Sequence, residues 1–319
     1  MANPAFLSPR LRAMLVALAP VAVLIALLIA IGVFVPSFLS AYSLGVLMGE
    51  SSPILLLAIA QTPVIMLGGI DLSVAAVTSL ASVLLAFLLP SLGVPGLVVV
   101  LLVTTLIGAA QGYIHVVAQL PSFVVTLAGM GLWSGVALSL AHTTVPVNQG
   151  YAIVGWLQGT TFGIPTAFLF GAGGAVALWA CLRWTRLGRY LRAIGFGETA
   201  ATLSGVRVAR VKIAVFALSG FFAGLTAMVL VSRTYSGDPS AASSLLLPSI
   251  AAVVVGGTAI TGGFGGLERT LVGVMIITVL RVGIAIVGID PGYEPLAYGV
   301  VVVGAVALTI DRSRLLVIK

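Results

Sequence analysis

An all-α integral membrane fold of about ten transmembrane helices, with both termini cytoplasmic, is what this sequence predicts, and three observations predict it. The chain has 319 residues, of which 60% are hydrophobic and 7% charged, whereas water-soluble domains carry about a quarter charged residues. After Asp71 no Asp, Glu, Lys or Arg occurs until Arg183. The basic residues gather at three points between long apolar runs, which is the pattern that holds loops on the cytoplasmic side of a membrane.

Those points fix the expected orientation. Arg10 and Arg12 precede the first apolar run, and Arg312, Arg314 and Lys319 follow the last. Between them, "RWTRLGRYLRAIGFGETAATLSGVRVARVK" packs Arg183, Arg186, Arg189, Arg192, Arg207, Arg210 and Lys212 into one segment. With all three clusters inside, the number of spans is even. The whole chain, 1–319, reads as one polytopic domain with no soluble domain and no disordered tail.

At about 20 residues per crossing, the spans fall at 12–36, 43–67, 72–90, 94–117, 121–141, 165–182, 213–232, 247–263, 268–288 and 293–310. The first run, "AMLVALAPVAVLIALLIAIGVFVP", is longer than the 7–15 apolar residues of a signal-peptide core and is read as a retained span. The breaks "PSFLSAY", "GGID", "LPSLGVPG" and "AQLPS" carry the Gly, Pro and Ser that punctuate helices. The longest outer connection, "HTTVPVNQGYAIVGWLQGTTFGIP", is polar but uncharged. A short interfacial helix suits it, with Tyr151 and Trp156 at headgroup level.

Several functions are excluded. The net charge of +7 comes without aromatic-interleaved basic stretches, so nucleic acid is not a partner. The single cysteine, Cys181, rules out an intrachain disulfide and a cysteine-based metal site. His115 and His142 have no carboxylate at ligand spacing and read as packing residues or hydrogen-bond donors. A phosphate-binding P-loop needs a lysine after its last glycine. The only lysines here follow Val211 and Ile318, so any ATP is bound by another subunit, and no catalytic or metal site is assigned to this chain.

Most of the 38 glycines are explained by close helix approach. The pairs Gly68-Gly69 and Gly262-Gly263 differ, because each joins two spans on the cytoplasmic side and is followed by an acid, Asp71 or Glu268. They read as tight turns in which the acid caps the next helix, with Ser73 completing the first motif. For Asp71, capping is the favoured reading and a place in a solute path the minority one. The loop "FGETAATLSGVRVARVK" reads as a short amphipathic helix projecting from the membrane, capped by Glu198 and ending at Gly205. An ordinary positive-inside anchor would explain its charge but not the Glu-Thr-Ala-Ala-x-x-Ser-Gly pattern.

Three blocks, "GGIDLSVAAVTSLAS" (68–82), "LPSFVVTLAGMGLWSGVAL" (120–138) and 188–266 from "GRYLRAIG" to "IAAVVVGGTAITGGFGG", resemble the membrane-spanning permease subunit of bacterial ABC importers of the ribose/xylose/galactoside (carbohydrate uptake type 2) branch. The similarity covers essentially the whole chain. It implies a multi-pass inner-membrane permease of ten helices that works with a second copy or a close relative. It also implies a cytoplasmic ABC ATPase with two nucleotide-binding halves holding the ATP-Mg, and a periplasmic sugar-binding protein. Under the resemblance, Glu198, Thr199, Ala200, Ser204, Gly205 and Arg207, within a cytoplasmic segment of about 183–212, correspond to the loop that docks on the ATPase. Thr199 stands where the family usually has Ala or Glu.

Two further residues depart from the family's pattern. Glu50 lies in the second span and Arg281 in the ninth, each about 10 Å from the outer face at 1.5 Å per residue. They read as an ion pair across the bundle and as candidate solute-path residues, pointing to a charged sugar derivative or a polyol. An ion-coupled secondary transporter or facilitator is the alternative reading. It requires intramembrane acids for coupling, and only Glu50 and Glu294 are placed for that role.

Overall fold

A computed structural model describes residues 9–309; the side chains of Arg10 and Arg12, and the residues Arg312, Arg314 and Lys319, lie outside the described part. In chain order the helices are α1 (Pro9–Phe34), α2 (Ala41–Met66), α3 (Val74–Leu92), α4 (Val94–Val117), α5 (Ser122–Leu140), the single turn α6 (Ala152–Gly155), α7 (Thr166–Trp184), α8 (Arg186–Phe196), α9 (Glu198–Leu203), α10 (Val208–Thr234), α11 (Leu246–Val255), α12 (Leu267–Ile286) and α13 (Glu294–Thr309). Seven of them, α2, α3, α4, α5, α7, α10 and α12, are long and apolar enough to cross a membrane. Three shorter apolar stretches, Leu18–Phe34, Ser243–Val255 and Glu294–Ala305, stand where the remaining expected spans fall.

The eighth expected span, 247–263, departs most from the sequence reading. Its helix α11 is 10 residues long, about 15 Å at 1.5 Å per residue, and it stops at Val255. The next stretch is a folded turn in which Gly257, Gly262, Gly263 and Gly265 all take positive φ, a conformation that only glycine adopts without steric cost. Apolar composition carried the expected span through these residues, and the backbone does not follow it.

The core is built around α2, α3 and α10. Every residue from Ser51 to Met66 and from Ser73 to Val83 is buried, as expected of helices apolar on all sides. Helix α10 lies along α4, with glycines in register on both helices. A Cβ on Gly108 would stand 2.1 Å from the Phe216 carbonyl oxygen, and one on Gly220 would stand 2.0 Å from that of Thr104. Gly112 and Gly224 continue the contact one turn further along each helix. This is the four-residue small-residue spacing that lets membrane helices pack backbone to backbone. Helices α4 and α5 turn Leu102, Leu106, Leu127, Leu132 and Leu138 outward.

At the end of the bundle away from the central basic segment, the connection after α5 is tied down by strands. β1 (Val145–Pro146) pairs antiparallel with β4 (Ser236–Gly237), and β2 (Thr160–Thr161) with β3 (Ile164–Pro165). The predicted interfacial helix is the one-turn α6 followed by a 3-10 turn over Trp156–Gln158. Tyr151 is a tether: its ring stacks on Tyr235 at 4.4 Å and its hydroxyl donates to the Ser232 carbonyl at 2.7 Å. The Ser240 hydroxyl and backbone N–H, both 2.7 Å from Asp238 Oδ1, hold that carboxyl below its ordinary range against the opposing effect of burial.

Candidate functional site

The chain leaves α2 through a left-handed turn. Gly68 (φ 80°) donates to the Ile65 carbonyl at 2.8 Å and Gly69 to that of Val64 at 3.0 Å, which closes the helix as a glycine C-terminal cap does. Residues 70–72 then run without helix or strand, gripped by the start of α5. The Ile70 N–H donates to Ser122 Oγ and the Leu72 N–H to Thr126 Oγ1, each at 3.1 Å. This accounts for Ser122 and Thr126 in the second block of the family resemblance.

Asp71, 2% exposed, sits at the centre of this junction. Its Oδ1 accepts from the Ser73 N–H (2.9 Å) and the Ser73 hydroxyl (2.6 Å), and its Oδ2 accepts from the Ser219 hydroxyl of α10 at 2.7 Å. The side-chain amide of Gln111, from α4, meets the same Ser73 hydroxyl at 2.7 Å, and Gln61 Nε2 of α2 donates to the Asp71 carbonyl at 2.6 Å. Asp71, expected to cap α3, does not: the N-cap is Ser73, whose side chain makes no capping bond to that helix. One carboxylate oxygen instead closes a turn on Ser73, and the other ties this junction to α10. Among the described residues no Lys, Arg or His forms an ion pair with Asp71, so serine hydroxyls and a backbone N–H satisfy the carboxyl group. Buried polar groups of this kind are costly unless fully hydrogen-bonded. Sequence reasoning missed Ser219, Gln111 and Gln61. Their signal was polarity in otherwise apolar spans.

The second glycine turn lies against the first. The Gly263 N–H donates to the Met66 carbonyl at 2.9 Å, and a Cβ on Gly262 would stand 2.8 Å from the Gly68 nitrogen. Helix α8 closes the contact: a Cβ on Gly195 would lie 2.1 Å from the Met66 oxygen and 2.4 Å from the Gly263 nitrogen. Both turn motifs and the central basic segment thus meet backbone to backbone. Glu268, expected to cap α12, is in its first turn instead, and Oε1 accepts from Trp179 Nε1.

The basic segment folds as α8 and α9. Thr185 begins α8 by accepting from the Leu187 N–H at 3.2 Å. Glu198 was expected to cap the second helix. It is instead the first residue of α9, and both its carboxylate oxygens take Lys212 Nζ at 2.8 Å. Gly205 (φ 80°) ends α9, donating to the Thr202 carbonyl while the Val206 N–H reaches that of Ala201 at 3.1 Å, the paired bonds of a Schellman cap. Glu198, Thr199, Ala200, Ser204, Gly205 and Arg207 are all exposed. Beside them stand Phe196 at 73% and Leu203 at 86% exposure, an apolar addition that the charge pattern had hidden.

Glu50 and Arg281 do not pair. Glu50 is bridged to Arg233 in the last turn of α10, and Arg281 Nε lies 3.5 Å from Glu294 Oε2, which also accepts from the Tyr298 hydroxyl at 2.9 Å. Helix α2 packs on both α10 and α12, and Glu50 faces α10. Arg233, in the last turn of α10 and away from the central basic segment, was the overlooked partner. His115 acts as expected of a packing residue, meeting the Leu120 carbonyl at 2.5 Å beside the Phe216 ring.

A bundle of apolar helices, broken by two interlocked glycine turns and carrying an exposed helical loop at its basic end, is the build of a polytopic transport subunit. The chain belongs to the family described as branched-chain amino acid transport system / permease component, which it matches over residues 43–310. It is 34% identical to the ribose import permease protein RbsC of Bacillus subtilis (strain 168) over 303 residues, covering 93% of each chain. It is also 34% identical to RbsC of Escherichia coli (strain K12), covering 91% of this chain and 93% of that one. With the fructose import permease protein FrcC of Rhizobium meliloti it shares 35% identity over 306 residues, 91% of this chain and 84% of the relative. No solved structure matches it. The chain is accordingly a multi-pass inner-membrane transport component and not an enzyme.

Proposed function

We propose that this chain is the transmembrane subunit of an ATP-driven importer that moves an uncharged sugar or sugar-like polyol across the bacterial inner membrane. In this reading its basic end faces the cytoplasm, as the positive-inside pattern requires, and both termini lie there. An ABC ATPase docks on Glu198–Arg207, a periplasmic sugar-binding protein delivers the solute at the opposite end, and a second permease copy or close relative completes the pair. ATP-Mg is held by the ATPase alone. The relatives named for ribose and fructose import support the sugar. The pairing of Glu50 with Arg233 and of Arg281 with Glu294 removes the reason to invoke a charged one.

The observation that carries the coupling is the contact of Gly195 with Met66 and Gly263. A push on the exposed α8–α9 element reaches the end of α2 and the turn before α12 without an intervening flexible side chain. The test is co-purification of the ATPase with the wild-type chain and with Gly205→Pro. Proline cannot take the positive φ of residue 205, so α9 loses its cap. The variant is expected to insert in the membrane normally and retain less than a tenth of the ATPase. Full retention of the ATPase would show that 198–205 is only a charge anchor.

A further inference from the structure

At the basic end a cavity of about 270 Å³ opens between the last turns of α7, helix α8, the end of α2 and the first turn of α12. At about 30 Å³ per water it has room for a small polar group rather than a single solvent molecule. Arg183 and Arg192 from α7 and α8, Glu268 from α12 and Trp179 line it, together with the buried Leu182 and Leu191.

The two arginines in this cavity are not used by the fold. Lys212, Arg233 and Arg281 all have acidic partners. Among the described residues, Arg183 and Arg192 have neither an ion pair nor a hydrogen bond, and neither pairs with Glu268. Glu268 has Oε1 occupied by Trp179, and its Oε2 is free of hydrogen bonds. Gly266 leaves room for that oxygen, since a Cβ there would stand 2.7 Å from it. Two guanidinium groups suit a phosphate, which arginine binds through parallel N–H donors. A carboxylate oxygen in the same lining suits an ammonium. Apolar lining at the ends of membrane-crossing helices suits the glycerol and upper acyl region of a lipid, and basic pockets between helices on the cytoplasmic side bind lipid headgroups.

We propose that this cavity is a binding site for an aminophospholipid of the phosphatidylethanolamine type, with the phosphate on Arg183 and Arg192 and the ammonium on Glu268. The site needs only the membrane setting of the chain and is independent of how transport is driven.

The test is lipid binding to the purified full-length chain, read as retained lipid by native mass spectrometry and as thermal stability. The probes are short-chain phosphatidylethanolamine, phosphatidylglycerol and phosphatidylcholine, together with free phosphoethanolamine and inorganic phosphate. Phosphatidylethanolamine is expected to bind best. Arg183→Gln with Arg192→Gln weakens it at least tenfold, and Arg183→Lys with Arg192→Lys restores part of that loss, which separates binding from misfolding. Glu268→Gln abolishes the preference for phosphatidylethanolamine over phosphatidylglycerol while leaving phosphatidylglycerol bound. Equal binding of the ethanolamine and choline lipids, or wild-type binding by the double glutamine variant, would overturn the proposal. Free phosphoethanolamine binding as tightly as the lipid would overturn the lipid assignment in favour of a soluble phosphate compound.

Discussion

Asp71 has three donors, the Ser73 N–H, the Ser73 hydroxyl and the Ser219 hydroxyl, and this set decides how the position responds to change. Asn keeps one carbonyl oxygen for Ser73 and can offer its amide to Ser219 as a donor, so Asp71→Asn is expected to cost about 0.5–1.5 kcal/mol in stability, the net worth of one hydrogen bond. Leu strands the Ser73 N–H and the Ser219 hydroxyl in a buried site, at about 1–3 kcal/mol for each unsatisfied group, while the Ser73 hydroxyl keeps Gln111 as acceptor, so Asp71→Leu should be far less stable than Asp71→Asn. Thermal unfolding of the two purified variants checks both outcomes. An Asn variant that is stable yet inactive in transport would give the carboxylate a functional role as well. Glu50 is the second residue-scale case. The structure predicts coupling between Glu50→Gln and Arg233→Gln, with the double variant recovering about 0.5–3 kcal/mol over the sum of the singles. Glu50→Gln and Arg281→Gln should add to within about 0.5 kcal/mol. Unfolding midpoints of the five variants read the difference. Strong coupling in the second pair and none in the first would reject these ion pairs.

At the scale of elements, the contact among α8, α2 and the turn before α12 is the part most sensitive to a single methyl group. Gly195→Ala places a carbon 2.1 Å from one backbone atom and 2.4 Å from another, and neither can rotate away. Gly173→Ala in α7 meets nothing within 4 Å and serves as the control. The alanine at 195 should displace α8, leave ATPase association intact because Glu198–Arg207 are unchanged, and lower ATP-driven uptake at least tenfold. Equal uptake by the two variants would remove the coupling route. This contact also shows what a sequence can and cannot convey. The paired glycines, Asp71 and the Glu-Thr-Ala-Ala-x-x-Ser-Gly pattern each stood out locally, because turns and caps write themselves in adjacent residues. That Gly195, Met66 and Gly263 share one point did not, since nothing in a one-dimensional pattern says which distant backbones touch. For the same reason Glu50 was matched to Arg281 by depth, when helix adjacency selects Arg233. The short α11 was misread because apolarity sets residence in a membrane while positive φ, invisible in hydropathy, sets where a helix ends.

On the scale of the whole molecule, the three sequence blocks that carry the family resemblance converge on one place. Residues 68–82 supply Asp71 and Ser73, residues 120–138 supply Ser122 and Thr126, and residues 188–266 supply Gly195, Ser219, Gly262 and Gly263. The convergence gives the account its central claim, that force applied at the exposed loop on the basic end drives solute movement through the bundle. The direct measurement is uptake of labelled ribose and fructose by proteoliposomes holding this chain with its ATPase, with binding protein outside, ATP trapped inside and no ion gradient. Uptake is predicted to require ATP and both partners together, and to persist when ion gradients are collapsed. Uptake by the chain alone, driven by an imposed proton or sodium gradient and indifferent to ATP, would contradict the account.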